Sequence, residues 1–347
     1  HFVFFNILHF REHTLTFDNI LSLSMTQQEQ QEQHQQHQQR HFFVTGASGF
    51  IGLAITKQLV AKGYQVTGLV RSDAGEKRVQ NIGAIPLRGD INNIQSIVDI
   101  IPQFDGVFHF AFNHDDWSTY YQTCQHDAKL IEAIGETLKG TQRPFIVASA
   151  LSILCAKGGQ KRSTYITENE QVPTQPPRSM TEIAVNKLRT QGVNIAAIRL
   201  PIVHGPNDRG FIYMLLQNAK KLGYVGYPND GSNRWAFADI NDIVQIATTV
   251  IEIPNAPLCP IYHAVSDADD GVTFIQIATA LAKKANLETK SINTNDDQET
   301  LQQTFGFLAN VVVNDFPASN QITKDALHIT AFTGRYVLND IEDYYNF

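Results

Sequence analysis

The sequence predicts an α/β fold in which a doubly wound parallel sheet is followed by a smaller carboxyl-terminal lobe. Three observations carry that prediction. A short apolar strand, a glycine-rich turn, a helical stretch and a second strand follow one another over residues 41–70. Apolar runs of strand length then alternate with helical stretches as far as Leu200, and beyond it Pro- and Gly-rich segments weaken the alternation.

The elements can be justified in order. The stretch His41-Phe-Phe-Val-Thr45 has the length and apolar content of a buried strand. Gly46-Ala-Ser-Gly49-Phe-Ile-Gly52 makes the turn, and Leu53, Ile55, Leu59 and Val60 recur at helical spacing up to Gly63. Residues 64–70 form the second strand, which completes a βαβ unit with a right-handed crossover. Residues 85–88, 106–112, 145–149 and 194–200 read as further strands, with helices near 94–101, 127–139 and 179–191 between them. In the later half, amphipathic helices are expected near 239–252 and 273–286, then an irregular tail.

Residues 1–40 stand apart. Residues 1–10 are apolar and aromatic, while residues 27–39 are almost wholly Gln, Glu and His, a tract unable to repay the entropy of ordering. We expect this stretch to lie outside the fold, with Met25 as the natural start. A signal peptide is the rival reading, but a basic leading region and a small-residue cleavage site are missing. The expected organisation is therefore an extension over 1–40, a dinucleotide-binding domain over 41–200 and a lobe over 201–347 that covers the substrate site.

Composition removes several classes of function. The 347 residues are 43% hydrophobic and 18% charged, as in a folded soluble protein, with a net charge of −7. No long Lys/Arg run supplies the footprint of a nucleic-acid binder. No apolar run reaches the roughly 18 residues of a membrane span. Cys124, Cys155 and Cys259 lie too far apart in sequence for a CxxC metal pair, and their odd number suits a reducing, cytoplasmic compartment. The expected partner is a small molecule, and the expected state a monomer or homodimer.

Each glycine of the turn has a physical task. Gly46 permits the tight turn, Gly49 lets backbone approach a pyrophosphate, and Gly52 allows close helix–strand packing at a helix N-terminus that faces the phosphates. The end of the second strand selects the cofactor. An acid there would bind a ribose 2′-hydroxyl, whereas Arg71, with Lys77 and Arg78 nearby, suits a 2′-phosphate. NADP is favoured, and Asp73 just past the strand end keeps NAD as the alternative.

Thr45-Gly-Ala-Ser-Gly-Phe-Ile-Gly52 resembles the TGxxGxxG signature of the extended short-chain dehydrogenase/reductases, Rossmann-type proteins that include sugar-nucleotide epimerases and dehydratases. Gly89-Asp90, His109-Phe-Ala-Phe112, Arg199-Leu-Pro-Ile-Val-His-Gly205, Gly231-Ser-Asn-Arg-Trp235, Asp239-Ile-Asn-Asp242 and Tyr262-His-Ala-Val265 extend the resemblance over roughly residues 41–340. It implies cofactor contacts from Gly46, Ser48, Gly49, Phe50, Ile51 and Gly52 in the turn. Asp90 and Ile91 would lie near the adenine, and Phe110, Ala111, Phe112 and Ser149 would follow at the strand ends.

The catalytic pattern departs from that family. Its members are implied to use Tyr-x-x-x-Lys on a helix, where the ammonium lowers the phenol pKa, with a Ser or Thr after the fifth strand as helper. Ser149 takes the helper position, but Arg178 and Glu182 stand where Tyr and Lys should be. Arg stays protonated, and Glu keeps a proton only when its pKa is strongly raised. Arg178 is read either as a clamp for an anionic or carbonyl substrate or as an ion-pair partner of Glu182. Ser149, His204 and Arg178 are thus the catalytic candidates, with Asn113, Arg178 and His204 as substrate contacts.

Blander readings stand beside these. His109 is taken as a packing residue, and His204 as a substrate contact or a loop hydrogen-bonder. Tyr165 reaches the site only by loop folding. His114, Asp115 and Asp116 imitate a metal cluster, but neighbouring side chains on one loop rarely converge, so no metal is expected there. Phe305-Gly-Phe307 and Ser319-Asn320 either cap the pocket or pack the lobe. The expected function is an NADP-dependent oxidoreductase or epimerase/dehydratase-like enzyme on a small carbonyl or hydroxyl substrate. A non-catalytic NADP-binding redox sensor or scaffold is the rival.

Overall fold

In parallel sheets covered on both faces, strands read as near-continuous apolar runs, and the first strand here is of that kind. The computed structural model describes residues 40–113, 117–155, 160–175, 177–253, 260–267, 270–294 and 298–345. The 1–40 extension up to residue 39, the His114-Asp115-Asp116 cluster and Cys259 lie outside the described residues.

Strands β1 (His41–Thr45), β2 (Gln65–Val70), β3 (Ile85–Arg88), β4 (Gly106–His109), β5 (Phe145–Ala150) and β6 (Ile195–Leu200) lie parallel in the order β3-β2-β1-β4-β5-β6. That is the doubly wound order of a Rossmann sheet. Helices α1 (Phe50–Ala61), α2 (Asp73–Asn81), α3 (Ile94–Val98), α4 (Tyr120–Leu138) and α5 (Ser179–Thr190) make the crossovers. Alternate strand residues face opposite layers. Phe42, Val44, Phe108 and Ile146 pack with Ile55 and Leu59 of α1, while Phe43, Val107, Phe145 and Val147 pack with Leu130 of α4 and Leu188 of α5.

The strand expected over 106–112 ends at His109. Its register with β1 closes at Thr45↔His109, where the glycine turn draws β1 away and leaves Phe110, Ala111 and Phe112 as a loop above the sheet. The helix expected near 127–139 begins seven residues earlier, at Tyr120.

The chain does not leave the sheet for good at Leu200. After β7 (Ile202–His204), α6 (Phe211–Leu222), β8 (Tyr224–Pro228), β9 (Arg234–Trp235), β10 (Phe237–Asp239) and α7 (Ile240–Thr249), strand β11 (Ile261–His263) joins β6 as a seventh parallel strand. Ile243, Ile246 and Ala247 of α7 share the apolar layer of α1. The lobe has its own core around Trp235, which meets Phe274 edge-on at 5.0 Å and Phe316 at 5.8 Å. It is completed by β12 (Val272–Thr273), α8 (Phe274–Ala285), β13 (Glu288–Ile292), α9 (Gln298–Phe305), α10 (Gln321–Leu327) and α11 (Val337–Asp343).

Four of these helices were not expected. α6 is amphipathic, burying Ile212, Leu215, Leu216 and Ala219, but Gly210 and Gly223 bracket it and make the region read as loop. α9, α10 and α11 have eight, seven and seven residues, too short for a 3.6-residue period to stand out where an irregular tail was expected. Among the described residues no helix is long and apolar enough to cross a membrane.

The glycine turn sets the tolerance of the sheet edge. Gly46 has φ +73°, and a Cβ built on Gly52 would stand 2.1 Å from Gly46 O. Gly52→Ala forces backbone apart and is expected to cost at least about 1–3 kcal/mol. Gly192→Ala meets nothing within 4 Å and bears only its left-handed backbone, φ +82°, at about 1–2 kcal/mol. Urea unfolding of both variants checks the order; equal midpoints would show that the turn is not tightly packed.

Candidate functional site

The carboxyl ends of β1, β4 and β5 meet the amino ends of α1, α2 and α5, and the sequence-predicted residues other than His204 lie along this edge. Gly49 caps α1 with extended backbone and no side-chain bond, so no side chain occupies the amides of the first turn. A Cβ on Gly49 would meet only Gly46 O, at 3.3 Å, leaving the space above it open. Ser48 lies against the start of α2, where a Cβ on Gly75 would stand 3.0 Å from Ser48 Oγ. Phe50 and Ile51 continue the turn half-buried, and Asp90 and Ile91 lie half-buried after β3. This uncapped turn is a cradle that fits a dinucleotide diphosphate.

Arg71, Lys77 and Arg78 are exposed beyond β2. The alternative acid, Asp73, is engaged by Arg88 at 2.7 Å. Ser72 caps α2 by accepting from Gly75 N at 3.2 Å.

Below the cradle lies a buried polar chain. Thr45 Oγ1 accepts from Ala111 N at 3.2 Å and meets His109 Nδ1 at 2.8 Å. His109 Nε2 meets Asp127 Oδ1 at 3.0 Å. Asp127 Oδ2 accepts from Arg178 Nη1 at 2.5 Å and from Thr181 Oγ1 at 2.7 Å. Arg178 also donates through Nη2 to Ala148 O at 3.0 Å, and its guanidinium lies 4.1 Å from the Phe112 ring centroid. Burial alone would raise the Asp127 carboxyl, but the Arg178 charge and the His109 bond outweigh it and hold it below the usual carboxylate range. His109 is therefore a link between glycine turn and helix, in keeping with the packing role expected of it.

The Arg178–Glu182 ion pair is not formed. Arg178 precedes the first turn of α5 and turns to Asp127, while Glu182 points under β5. There Glu182 Oε1 accepts from Ser149 Oγ at 2.7 Å and from Arg199 Nε at 2.9 Å, and Oε2 accepts from Arg199 Nη2 at 2.8 Å. Ser149 is 2% exposed and Arg178 8%, so neither presents a free group to a substrate. Arg199 spends its other donors on Thr167 O, Glu170 O and His263 Nε2. Burial and the Arg199 charge push His263 down to about 3, which keeps it a neutral acceptor.

His204 lies elsewhere. It is fully buried in the lobe, with Nδ1 on Asp340 at 2.6 Å and Nε2 on Asp267 at 3.0 Å. Burial works against its charge, but the two carboxylates outweigh that and raise it to about 9. Full burial and two carboxylate partners leave its ring no open nitrogen, which matches the hydrogen-bonding reading rather than a substrate contact. Tyr165 donates to Asp270 and is likewise no part of the edge. Asn113 stays there, half-buried after Phe112. Phe305 is buried in the lobe core, and Ser319 O serves His263 Nδ1 at 2.7 Å, so both tail segments pack rather than cap.

Sequence reasoning missed Asp127, Arg199, Asp267 and Asp340. Two left a signal: Asp127 interrupts the buried stripe Cys124, Leu130, Ile131 and Ile134 of α4, and Arg199 stands inside the apolar run of β6.

Asp127→Asn leaves Arg178 buried without its counter-charge and is expected to cost about 3–5 kcal/mol at neutral pH. The folded carboxyl lies below its unfolded value of 3.8, so the stability is present above that pH and is lost as pH falls through the lower folded value. Urea unfolding at stepped pH should show the gap between parent and variant closing as pH falls below 3.8; a constant gap would rule out the ionic origin.

A sequence profile of the NAD dependent epimerase/dehydratase family matches residues 42–262. An uncharacterized protein of Schizosaccharomyces pombe is 37% identical over 286 residues, 82% of this chain and 92% of its own length. A 2-alkyl-3-oxoalkanoate reductase of Stenotrophomonas maltophilia is 27% identical over 202 residues, 55% of this chain and 59% of that protein. The fold is similar to that of UDP-glucuronic acid 4-epimerase from Bacillus cereus, solved with UDP-glucuronic acid and NAD. The TM-score is 0.67 at 16% identity, over 87% of this chain and 96% of that one. The cradle and the long match agree, and this chain belongs to the NAD dependent epimerase/dehydratase family.

Proposed function

We propose that the chain is an NADP-dependent oxidoreductase acting on a small carbonyl or hydroxyl substrate without a Tyr–Lys pair. The observation that carries this reading is the uncapped glycine cradle followed by Arg71 instead of an acid at the end of β2. The acids of the first turn of α2, Asp73 and Glu76, are both drawn to Arg88, at 2.7 and 3.6 Å. The first-turn amides of α1 would hold the diphosphate, and Arg71 the 2′-phosphate. A nicotinamide bound there supplies hydride chemistry, and the protein supplies position and electrostatics.

Two relatives support the substrate class. The reductase and the 4-epimerase are each named for a change at a carbon bearing oxygen. In this reading Phe112 and Asn113 would border the substrate, while Arg178 lies against the Phe112 ring and anchors α5 to Ala148 O. With Ser149, Arg178 and Glu182 in internal bonds, the proton is exchanged with water. The reading carries a cytoplasmic location with it, and among the described residues Cys124 and Cys155 form no disulfide.

The same internal bonds favour a second reading, an NADP-binding sensor or scaffold without turnover. Calorimetric titration with NADPH, NADP and NADH, followed by NADPH oxidation over a panel of 3-oxo acids and aldehydes, separates the two. Turnover supports the enzyme; tight binding with none supports the sensor; no binding of any dinucleotide removes both.

Arg71→Ala is expected to weaken NADPH binding about tenfold or more, the worth of one charge-assisted hydrogen bond, while leaving NADH binding unchanged. An equal loss for both would show that Arg71 does not read the 2′-phosphate. Gly49→Val should keep its circular dichroism spectrum yet lose both dinucleotides, because the side chain enters the open space of the cradle.

A further inference from the structure

A second polar cluster lies on β7, β10 and α11. His204 ends β7 and Asp239 ends β10, and the parallel register sets them opposite each other. Asp340 reaches them from α11. All three are fully buried, and one ligating atom from each lies within 4.8 Å of the other two.

Each of the three has its other polar atom already tied. His204 Nε2 is bonded to Asp267 Oδ1 at 3.0 Å. Asp340 Oδ1 accepts from Arg335 Nε at 2.7 Å. Asp239 Oδ1 accepts from the backbone and side-chain N–H groups of Asn241, both at 2.8 Å. The atoms left over are His204 Nδ1, Asp340 Oδ2 and Asp239 Oδ2. The first two are 2.6 Å apart, whereas Asp239 Oδ2 is buried with no hydrogen-bond partner.

An unpartnered buried carboxylate oxygen is costly. Asp242, another buried carboxylate beside Asp239, adds to the negative charge there. A proton on His204 Nδ1 bridges to Asp340 but does nothing for Asp239, while a divalent ion would serve all three. The Asp267–His204 bond is the outer carboxylate contact that orients a metal-bound imidazole.

We propose that His204 Nδ1, Asp239 Oδ2 and Asp340 Oδ2 bind a divalent cation of the zinc class, which displaces to solvent the proton held between His204 and Asp340 and pins α11 to the paired strands β7 and β10. An imidazole among the ligands selects zinc-like ions over calcium and magnesium, which take oxygen alone. The ligands stand on two strands and a helix, and the 2.6 Å between His204 Nδ1 and Asp340 Oδ2 must open by several tenths of an ångström to admit the ion.

The test uses the untagged full-length chain, stripped with EDTA, reloaded with zinc chloride, dialysed and measured by plasma mass spectrometry and thermal melting. The parent is expected to retain one more zinc per chain than Asp239→Asn and to melt higher with zinc than without. Asp239→Asn keeps the Oδ1 acceptor that caps α7, and circular dichroism checks its fold. Binding by histidines of the extension, such as His34 and His37, is common to both chains and cancels. Asp267→Asn is expected to bind zinc about 10–100-fold more weakly. If Asp239→Asn fails to fold, cobalt reloading of the parent reads the site through a ligand-field absorption band. Equal zinc in both chains, or no such band, overturns the proposal.

Discussion

The buried ion pair between Arg199 and Glu182 holds the carboxyl edge of the sheet together. Both side chains are 1% exposed, so each charge depends on the other and on the remaining bonds of the guanidinium. Those bonds run to Thr167 O, Glu170 O and His263, tying β6 to the segment before α5 and to the last strand of the sheet. Such a pair adds little net stability over apolar packing, but breaking it is expensive. Its effect here is geometric, because a planar fork of five donors admits one arrangement of its acceptors.

The same edge explains why Arg178 and Glu182, one helical turn apart, do different work. Their i, i+4 spacing puts them on one face of a helix, but Arg178 sits ahead of the first turn and Glu182 within it. Arg178 therefore reaches outward to α4 and the end of β5, while Glu182 reaches down to β6. Two ion pairs with other partners replace the one that spacing suggested. Through Asp127, His109 and Thr45, Arg178 is mechanically linked to the glycine turn. The glycine turn and helix α5 are thus parts of one bonded unit.

The lobe follows a similar logic with different chemistry. β7 and β10 bring His204 and Asp239 together by backbone pairing, and α11 adds Asp340. Trp235 and its aromatic neighbours supply the apolar burial that holds these elements in place. The carboxyl-terminal segment is therefore fastened by charge as well as by packing, at Asp340 and again where Tyr345 donates to Asp208 at 2.5 Å.

The cradle was legible in the sequence because its geometry is local. Gly46, Gly49 and Gly52 act on one another across a few bonds, and the flanking strand and helix announce themselves through apolar period. The alternation of β1 to β6 was legible for the same reason. The short tail helices were not, since two turns carry too little period, and neither was the return of β11 to the sheet, which depends on a distant edge. Residue types also carried the expectation that Arg178 and Glu182 would not easily replace a Tyr and a Lys. Which carboxylate each cation meets was left to the tertiary structure, because Coulomb attraction and desolvation depend on distance in space. Asp127, Arg199 and Asp340 come from elements far apart in the chain, and only the assembled sheet and lobe bring them to their partners.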